Sequence, residues 1–263
     1  MKNFKKKLVQ NLTNYFKNSG FKTAIIGISG GIDSAVTLAI AVEALGKENV
    51  RGYLLPYRLG EISSHTNFED AQEISEFFGI EYEEIEIDEF AQPYTKLFPE
   101  ISGKTNLAFA NSLARIRMTV LFGFANKLSG LVLGTCNKSE IMLGYGTKFG
   151  DGACDVNVLG NLWKSEVYAL ARVYNIPEKF ITKNPSAELF ENHSDEEEMG
   201  FSYAESQKIL EEIHEIEISE NKTQKFLEIQ PRNTLEKKIF KMYEQSAHKR
   251  IFPPTLAGEV LKK

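Results

Sequence analysis

The sequence runs from Thr23-Ala24-Ile25-Ile26-Gly27-Ile28, an apolar stretch, through Ser29-Gly30-Gly31-Ile32-Asp33-Ser34 and into apolar residues at helical spacing. A strand that leads through small residues into a helix brings backbone N–H groups and the positive end of the helix dipole to one point. This loop is therefore predicted to bind an anion, and a phosphate group in particular. It has neither the Gly-x-x-x-x-Gly-Lys-Ser/Thr string of a Walker A loop nor the Gly-x-Gly-x-x-Gly string of dinucleotide-binding loops.

Strands and helices alternate along the first half of the chain. Apolar runs predict strands at residues 24–28, 50–55, 82–87 and 131–134, and helical spacing predicts helices at residues 34–45, 67–78 and 106–128. This alternation predicts right-handed βαβ units and an α/β fold, with a doubly wound, mostly parallel sheet flanked by helices. Ligands of such sheets bind beyond the carboxyl ends of the strands, so we expect the loops after the first and fourth strands to share one crevice.

The rest of the chain is predicted to be helical around two long polar stretches. We expect an amphipathic helix within residues 1–22 and further helices at residues 164–174, 202–216 and 235–245, the last two forming a C-terminal helical part. The stretches without clear periodicity predict flexible functional loops at about residues 136–160 and 184–200. The length of 263 residues suits a single domain over the whole chain.

Composition favours a cytoplasmic enzyme. The 31 basic and 36 acidic residues give a net charge of -5, which argues against a protein that coats nucleic acid. No apolar stretch is long enough to cross a bilayer, and the basic N-terminal segment lacks the continuous apolar core of a secretory signal. The two cysteines, Cys136 and Cys154, form no Cys-x-x-Cys motif and cannot build a disulfide framework.

Asp33 is the unexpected residue in a phosphate loop. A carboxylate beside a triphosphate is repulsive unless a cation lies between them, and a shared Mg²⁺ would remove the repulsion. The alternative is that Asp33 caps the following helix, which is a common use of aspartate. Ser34 has the same two interpretations, as a phosphate donor or as a residue of the first helical turn.

A second polar segment follows the fourth strand. Residues 134–155 combine hydroxyl groups, two lysines, Glu140, Asp151 and Asp155 among many glycines. The plain interpretation is a solvated loop. We favour a ligand site, because a surface loop has no need of so many glycines beside its charges.

The helix predicted at residues 106–128 carries two arginines. Arg117 falls within the apolar stripe, where a charge must be paired, so an internal or subunit-interface ion pair is favoured for it. Arg115 lies on the flank of the stripe. Its planar guanidinium suits a ligand phosphate or carboxylate.

Strings spread over nearly the whole chain resemble the ammonia-dependent NAD⁺ synthetase family, which belongs to the N-type ATP pyrophosphatases. The family cuts ATP between the α- and β-phosphates and has a Rossmann-like fold of the adenine nucleotide alpha hydrolase type. The matching strings, in family order, are residues 27–34, Ala114-Arg115-Ile116-Arg117-Met118, Leu133-Gly134-Thr135 with Asn137-Lys138-Ser139-Glu140, Thr147-Lys148-Phe149-Gly150-Asp151-Gly152, Lys183-Asn184-Pro185-Ser186-Ala187-Glu188, Asp195-Glu196 with Met199-Gly200, and His248-Lys249-Arg250.

The resemblance implies the last step of NAD⁺ biosynthesis. ATP, as co-substrate, adenylylates the nicotinate carboxylate of deamido-NAD⁺ with release of pyrophosphate, and ammonia attacks the acyl adenylate to give NAD⁺ and AMP. The family is generally homodimeric, with deamido-NAD⁺ bound across the interface.

The resemblance also assigns roles to residues of this chain. Asp33 and Glu140 are expected to hold Mg²⁺. Asp151, Lys164 and Asp33 are the expected catalytic residues, Asp151 by holding ammonium and taking its proton. ATP is expected to bind Gly27, Ile28, Ser29, Gly30, Gly31, Ile32, Asp33, Ser34, Thr135, Lys164 and Ser186. Deamido-NAD⁺ is expected to bind Arg115, Lys148, Asp155, His248 and Lys249.

Three other functions stay open at this point. The chain has no room for a glutaminase domain of typical size, so ammonia must arrive free or from another polypeptide. An RNA-modifying enzyme would call for a basic face, an added RNA-binding module or a cysteine pair, and a non-catalytic nucleotide-binding module would have no use for Glu140, Lys148, Asp151 and Lys164 together.

Cys136 and Cys154 stand where the family often has glycine or another small residue, and space filling is the favoured interpretation of both.

Overall fold

A five-stranded parallel sheet lies at the centre of the computed structural model, which describes residues 1–58, 65–101, 106–185, 194–218 and 230–253. The strand order is β3-β2-β1-β4-β5. The strands are β1 Thr23–Gly27, β2 Val50–Leu54, β3 Glu81–Glu84, β4 Gly130–Gly134 and β5 Val156–Asn157. The four predicted strands and the doubly wound parallel sheet are therefore confirmed, although β3 ends three residues earlier than expected. The fifth strand was missed because two residues carry no periodicity.

Helices surround this sheet and extend the chain beyond it. They are α1 Lys2–Ser19, α2 Ile32–Leu45, α3 His65–Phe78, α4 Asp88–Leu97, α5 Leu107–Leu128, α6 Lys138–Leu143, α7 Lys164–Val173, α8 Glu178–Thr182, α9 Asp195–Met199, α10 Tyr203–Ile218 and α11 Thr234–Gln245. The loops expected at residues 136–160 and 184–200 thus contain two short helices, α6 and α9. No helix was predicted at α4, because Pro93 in its interior weakens the helical signal.

The central strands are covered on both faces because alternate residues point to opposite sides of the sheet. From β1, Ala24 and Ile26 pack in the core formed with α1, α2 and α7. Ile25 points the other way, into the core formed with α4 and α5. A third apolar cluster joins α6, α10 and α11. None of the described helices combines the length and apolarity needed to cross a membrane.

The strand order reverses between β1 and β4. The chain proceeds from β1 outward to β2 and β3 and then returns to pair β4 with the other edge of β1. The loops that follow β1 and β4 therefore leave the sheet side by side, as expected for the ligand crevice of a doubly wound fold.

Candidate functional site

The loop after β1 leads into α2 without a side-chain cap. Gly31 is the N-cap residue, and Asp33 lies in the first turn. The alternative that Asp33 caps this helix is therefore wrong. Ser29 Oγ accepts from the Gly31 N–H at 3.2 Å, and Ser34 Oγ donates to the Gly31 carbonyl at 2.9 Å, so the two hydroxyls brace the turn. An uncapped helix N-terminus with short side chains suits a phosphate.

Glycine is required at position 30 of this loop. Its φ is +79°, and a Cβ there would lie 2.4 Å from the Asn67 carbonyl oxygen of α3. The loop consequently packs directly on α3.

Asp33, Glu140 and Lys164 meet in the crevice from three different elements. The Lys164 ammonium lies 2.5 Å from Asp33 Oδ2 and 3.2 Å from Glu140 Oε1, and the lysine side chain is only 3% exposed. Asn137 completes the group by donating its side-chain amide to Asp33 Oδ1 at 2.9 Å. The structure thus brings together three of the four residues for which a metal or catalytic role was predicted, and the fourth, Asp151, lies apart from this group.

A capping box places Glu140. Asn137 Oδ1 accepts from the Glu140 N–H, and Glu140 Oε2 accepts from the Asn137 N–H, both at 3.1 Å. The pattern Asn-x-x-Glu is a known start signal for a helix, and it could have revealed both α6 and the role of Asn137. It was overlooked among the surrounding glycines.

Burial and the neighbouring charges shift the pKa values of both Glu140 and Lys164. Desolvation and the charge of Asp33 raise the pKa of Glu140 to about 8, despite the opposing effect of Lys164. For Lys164, burial lowers the pKa, but the two carboxylates outweigh it and the pKa lies above its usual value. Lys164 therefore stays an ammonium, and its one positive charge faces two acidic groups.

The donor set fits a magnesium ion that is shared with phosphate groups. Mg²⁺ in nucleotide sites takes one or two carboxylates together with substrate phosphates and water. Asp33 and Glu140 supply two carboxylates. The Lys164 ammonium contacts both of them, which shows that a positive charge is favoured at this position. In the described part of the chain, no group of three or more acidic, histidine or cysteine side chains is arranged to hold a metal without such phosphates.

A pocket of about 550 Å³ joins the two loops. Most of the residues predicted to bind ATP line it: Gly27, Ile28, Ser29, Gly31, Ile32, Asp33, Ser34, Thr135 and Lys164. Gly30 lies behind the wall, against α3. Ser186 lies outside the described residues. The expectation that the loops after the first and fourth strands share one crevice is confirmed.

The residues predicted to bind deamido-NAD⁺ fall into two places. Four of them form a basic group: Arg115 Nε donates to the Lys148 carbonyl at 3.3 Å, Lys148 Nζ donates to the His248 carbonyl at 2.5 Å, and the neighbouring Lys249 lines the pocket. Asp155 lies elsewhere, outside the pocket wall. Its carboxylate accepts from the Val132 N–H at 2.7 Å, which ties it to the edge of β4.

Asp151 faces the pocket from the turn that follows α6. Its Oδ1 accepts from the Thr147 N–H at 2.7 Å, and its Oδ2 lies 3.7 Å from the Cys136 thiol. Burial raises the pKa of Cys136 well above its usual value, with the charge of Asp151 adding to the effect, so the thiol stays protonated and donates. The turn thereby holds the Asp151 carboxylate in a fixed orientation.

Two features of the pocket were missed from the sequence. Arg117, which was assigned to an ion pair, lines the pocket and donates from Nε to the Leu55 carbonyl at 2.9 Å. Tyr145 and Glu198, joined by a hydrogen bond of 2.5 Å, form another part of the wall. Both features depend on contacts between distant elements, so no local signal announced them.

Known proteins resemble the chain over nearly its whole length. A profile described as NAD synthase matches residues 4–253. The chain is 38% identical over 249 residues to the NH(3)-dependent NAD(+) synthetase of Methanosarcina acetivorans, covering 94% of this chain and 95% of that protein. The structure is similar to the NMN synthetase from Francisella tularensis, with a TM-score of 0.83, 31% identity and 97% of each chain covered. It is also similar to the NH3-dependent NAD synthetase from Campylobacter jejuni, with a TM-score of 0.75, 32% identity and 97% and 98% covered.

Proposed function

The chain belongs to the NAD synthase family, and from this premise we propose that it catalyses the ATP-dependent amidation of deamido-NAD⁺ with ammonia, which yields NAD⁺, AMP and pyrophosphate. The observation that carries the proposal is the contact of Lys164 with both Asp33 and Glu140 at the end of the anion loop. A nucleotide-binding module without chemistry has no use for such a buried charged group beside a phosphate site. An amide-forming ligase needs this charged group, because the carboxylate of one substrate must approach the triphosphate of ATP there.

The proposed ATP site lies along the loop after β1. The N-terminus of α2 and the hydroxyls of Ser29 and Ser34 bind phosphate oxygens, and Thr135 approaches from the loop after β4. Lys164 neutralises charge on the phosphates as the bond between the α- and β-phosphates breaks. Ser186 keeps its proposed contact with ATP from the sequence resemblance alone.

Asp33 and Glu140 are the proposed magnesium ligands. A bound Mg²⁺ shields the charge of the triphosphate and of the leaving pyrophosphate. Asn137 orients both carboxylates, since its side-chain amide bonds to Asp33 and its backbone N–H bonds to Glu140.

The proposed site for deamido-NAD⁺ is the basic group of Arg115, Lys148, His248 and Lys249. Its positive charge suits the phosphates of the dinucleotide and steers the substrate toward the pocket. Asp155, which is bonded to the Val132 N–H, lies outside this group, and its proposed contact with the substrate rests on the family resemblance.

The reaction proceeds in two steps. The nicotinate carboxylate attacks the α-phosphorus of ATP, and the bond to the β-phosphate oxygen breaks to release pyrophosphate. Ammonia then attacks the acyl carbon, and AMP leaves with its bonding electrons. Asp151 is proposed to hold the incoming ammonium and to accept its proton, because only the free amine is a nucleophile.

A homodimer in the cytoplasm is the proposed assembly and location. Large apolar side chains lie exposed on α4, on α5 and between them: Phe90, Tyr94, Leu97, Phe98 and Leu107. Several large exposed apolar side chains on neighbouring elements are typical of an interface. The two cysteines are free, which suits a reducing compartment.

Nicotinate mononucleotide is a second candidate substrate. The structural similarity to the Francisella tularensis protein, whose described activity is NMN synthesis, favours testing it. The chemistry would be the same, because both substrates carry the nicotinate carboxylate.

The decisive experiment supplies the purified protein with Mg-ATP, ammonium and either deamido-NAD⁺ or nicotinate mononucleotide. We expect NAD⁺, AMP and pyrophosphate from the first substrate, with a higher kcat/KM than for the second. Formation of ADP and phosphate would reject the adenylylation mechanism. Equal or better use of glutamine as nitrogen donor would reject the dependence on free ammonia.

A further inference from the structure

Two lysines share one carboxylate beside the anion loop. Lys179 Nζ lies 2.8 Å from Asp70 Oδ1, and Lys183 Nζ lies 2.6 Å from Asp70 Oδ2. Lys183 also donates to the side-chain carbonyl of Asn67, and Lys179 also pairs with Glu73. These contacts join α8 and the residue that follows it to the first turns of α3.

The cluster touches the loop that is proposed to bind phosphate. A Cβ at Gly30 would lie 2.4 Å from the Asn67 carbonyl oxygen and 3.0 Å from Asp70 Cβ, so the loop packs on the two residues that hold Lys183. Lys183 lines the pocket together with Asn67, whereas Lys179 is not among the described residues of the pocket wall. Of the two lysines that hold Asp70, therefore, Lys183 borders the crevice and Lys179 does not.

The charges make Lys183 available to a ligand. Burial raises the pKa of Asp70, but the hydrogen bonds and charges of the two lysines outweigh it and hold the pKa below its usual value. If Lys183 turns toward a phosphate, Lys179 still neutralises Asp70, so no buried charge is left unpaired.

We propose that Lys183 binds the β- and γ-phosphates of ATP, and the pyrophosphate formed from them, by exchanging Asp70 for a phosphate oxygen. The inference rests on the proposed function and extends it to a residue with no role assigned so far. A lysine is suited to this task because its flexible stem lets a point charge move between two anions. Asn67 and Asp70 hold the ammonium beside the loop until the nucleotide binds.

The test compares Lys183→Ala with Lys179→Ala, since both variants remove one cation from Asp70. The probes are Mg-pyrophosphate and Mg-ATP, and the Kd of each is measured by titration calorimetry. We expect Lys183→Ala to weaken pyrophosphate binding by about tenfold to a hundredfold, as for the loss of a hydrogen bond between charged groups. Lys179→Ala should change it by less than about threefold, and Lys183→Arg should retain most of the affinity.

Steady-state kinetics provide the second measurement. Lys183→Ala should raise the KM for ATP and weaken product inhibition by pyrophosphate, while the KM for deamido-NAD⁺ stays within about twofold of the wild-type value. Thermal unfolding of both variants reports how much each ion pair stabilises the fold. If Lys183→Ala does not fold, the Lys183→Met variant is used in every measurement instead, because methionine keeps the aliphatic stem and removes the charge.

Two results would overturn the inference: wild-type affinity of the Lys183 variant for pyrophosphate, or equal weakening in both variants, which would mark the cluster as a purely structural ion pair. Failure of the proposed function is distinguishable. In that case the wild-type protein makes no NAD⁺, whereas the pyrophosphate titrations still compare the two lysines.

Discussion

Asn137 donates its side-chain amide to Asp33 Oδ1 at 2.9 Å, and this bond connects the loop after β4 to the first turn after β1. The same side chain caps α6 through its carbonyl oxygen. One residue therefore fixes both the start of a helix and the orientation of a carboxylate in the proposed active site.

Removing this amide should affect stability and activity together. We expect Asn137→Ala to lower the free energy of unfolding by about 1–2 kcal/mol, since a helix cap is lost. We also expect kcat to fall by about tenfold or more, because Asp33 loses an orienting donor. Urea unfolding and NAD⁺ formation measure the two effects. Asn137→Ser, which can still cap the helix, should recover the stability but not the rate; recovery of both would contradict the role assigned to the bond with Asp33.

Asp33→Asn should nearly abolish the formation of AMP. The substitution preserves the shape of the side chain and removes the charge that binds Lys164 and is proposed to bind Mg²⁺. Glu43→Gln is the matched control, because Glu43 is an exposed residue of the same helix and pairs with Lys5. Release of AMP is followed by chromatography, and activity of Asp33→Asn comparable to that of the control would reject the assignment.

Lys164→Met should destabilise the protein by about 3–5 kcal/mol, since two carboxylates lose their cation in a buried place. The variant should also gain more thermal stability from added Mg²⁺ than the wild-type protein does, because a divalent cation replaces the missing charge. Differential scanning calorimetry at several magnesium concentrations measures both effects. Calcium and sodium chloride at equal ionic strength serve as controls, and an identical response to sodium would indicate simple screening.

The Asp70 cluster predicts a dependence of stability on pH. The two lysines hold the pKa of Asp70 in the folded protein below its ordinary value of 3.8, so its ionised form stabilises the fold. That contribution is fully present above the unfolded pKa and is lost as the pH falls through the folded pKa. Asp70→Asn should therefore be less stable than the wild-type protein at pH 7, and the gap should close as the pH falls below about 4. Urea unfolding across this range measures the gap, and a gap independent of pH would contradict the ion pairing.

The exposed apolar residues of α4 and α5 predict a dimer that a charge can break. We expect Leu97→Glu to convert the dimer to a monomer, because Leu97 is 70% exposed in the isolated chain and lies among other exposed apolar residues. Phe77→Glu, at an exposed apolar residue of α3 outside this surface, should leave the dimer intact. Sedimentation velocity distinguishes the species. A wild-type monomer, or dissociation by both substitutions, would remove this surface from consideration.

Local patterns were informative wherever one segment carries the whole signal. The apolar run before Ser29 and the run before Thr135 predicted β1 and β4, and the glycines between β1 and α2 predicted the anion loop. Pro93 concealed α4, and the glycines around residues 134–155 concealed α6 despite its capping box. Both helices form although the proline and the glycines have a low helix propensity. Tertiary packing stabilises α4, and the capping box stabilises α6.

By itself, the sequence determined the alternation of strands and helices, the phosphate loop and the residue types of the reaction, since each of these is a property of contiguous residues. Only the tertiary structure decided which charges meet. Asp33 lies 104 positions from Asn137 and 131 from Lys164, and these contacts exist because the strand order 3-2-1-4-5 places the ends of β1 and β4 side by side. The tertiary structure also decided that Arg117 lines the pocket and Arg115 does not. In the same way Lys183 lines the pocket and Lys179 does not, because the face of a helix that borders the pocket is set by elements that lie far away in the chain.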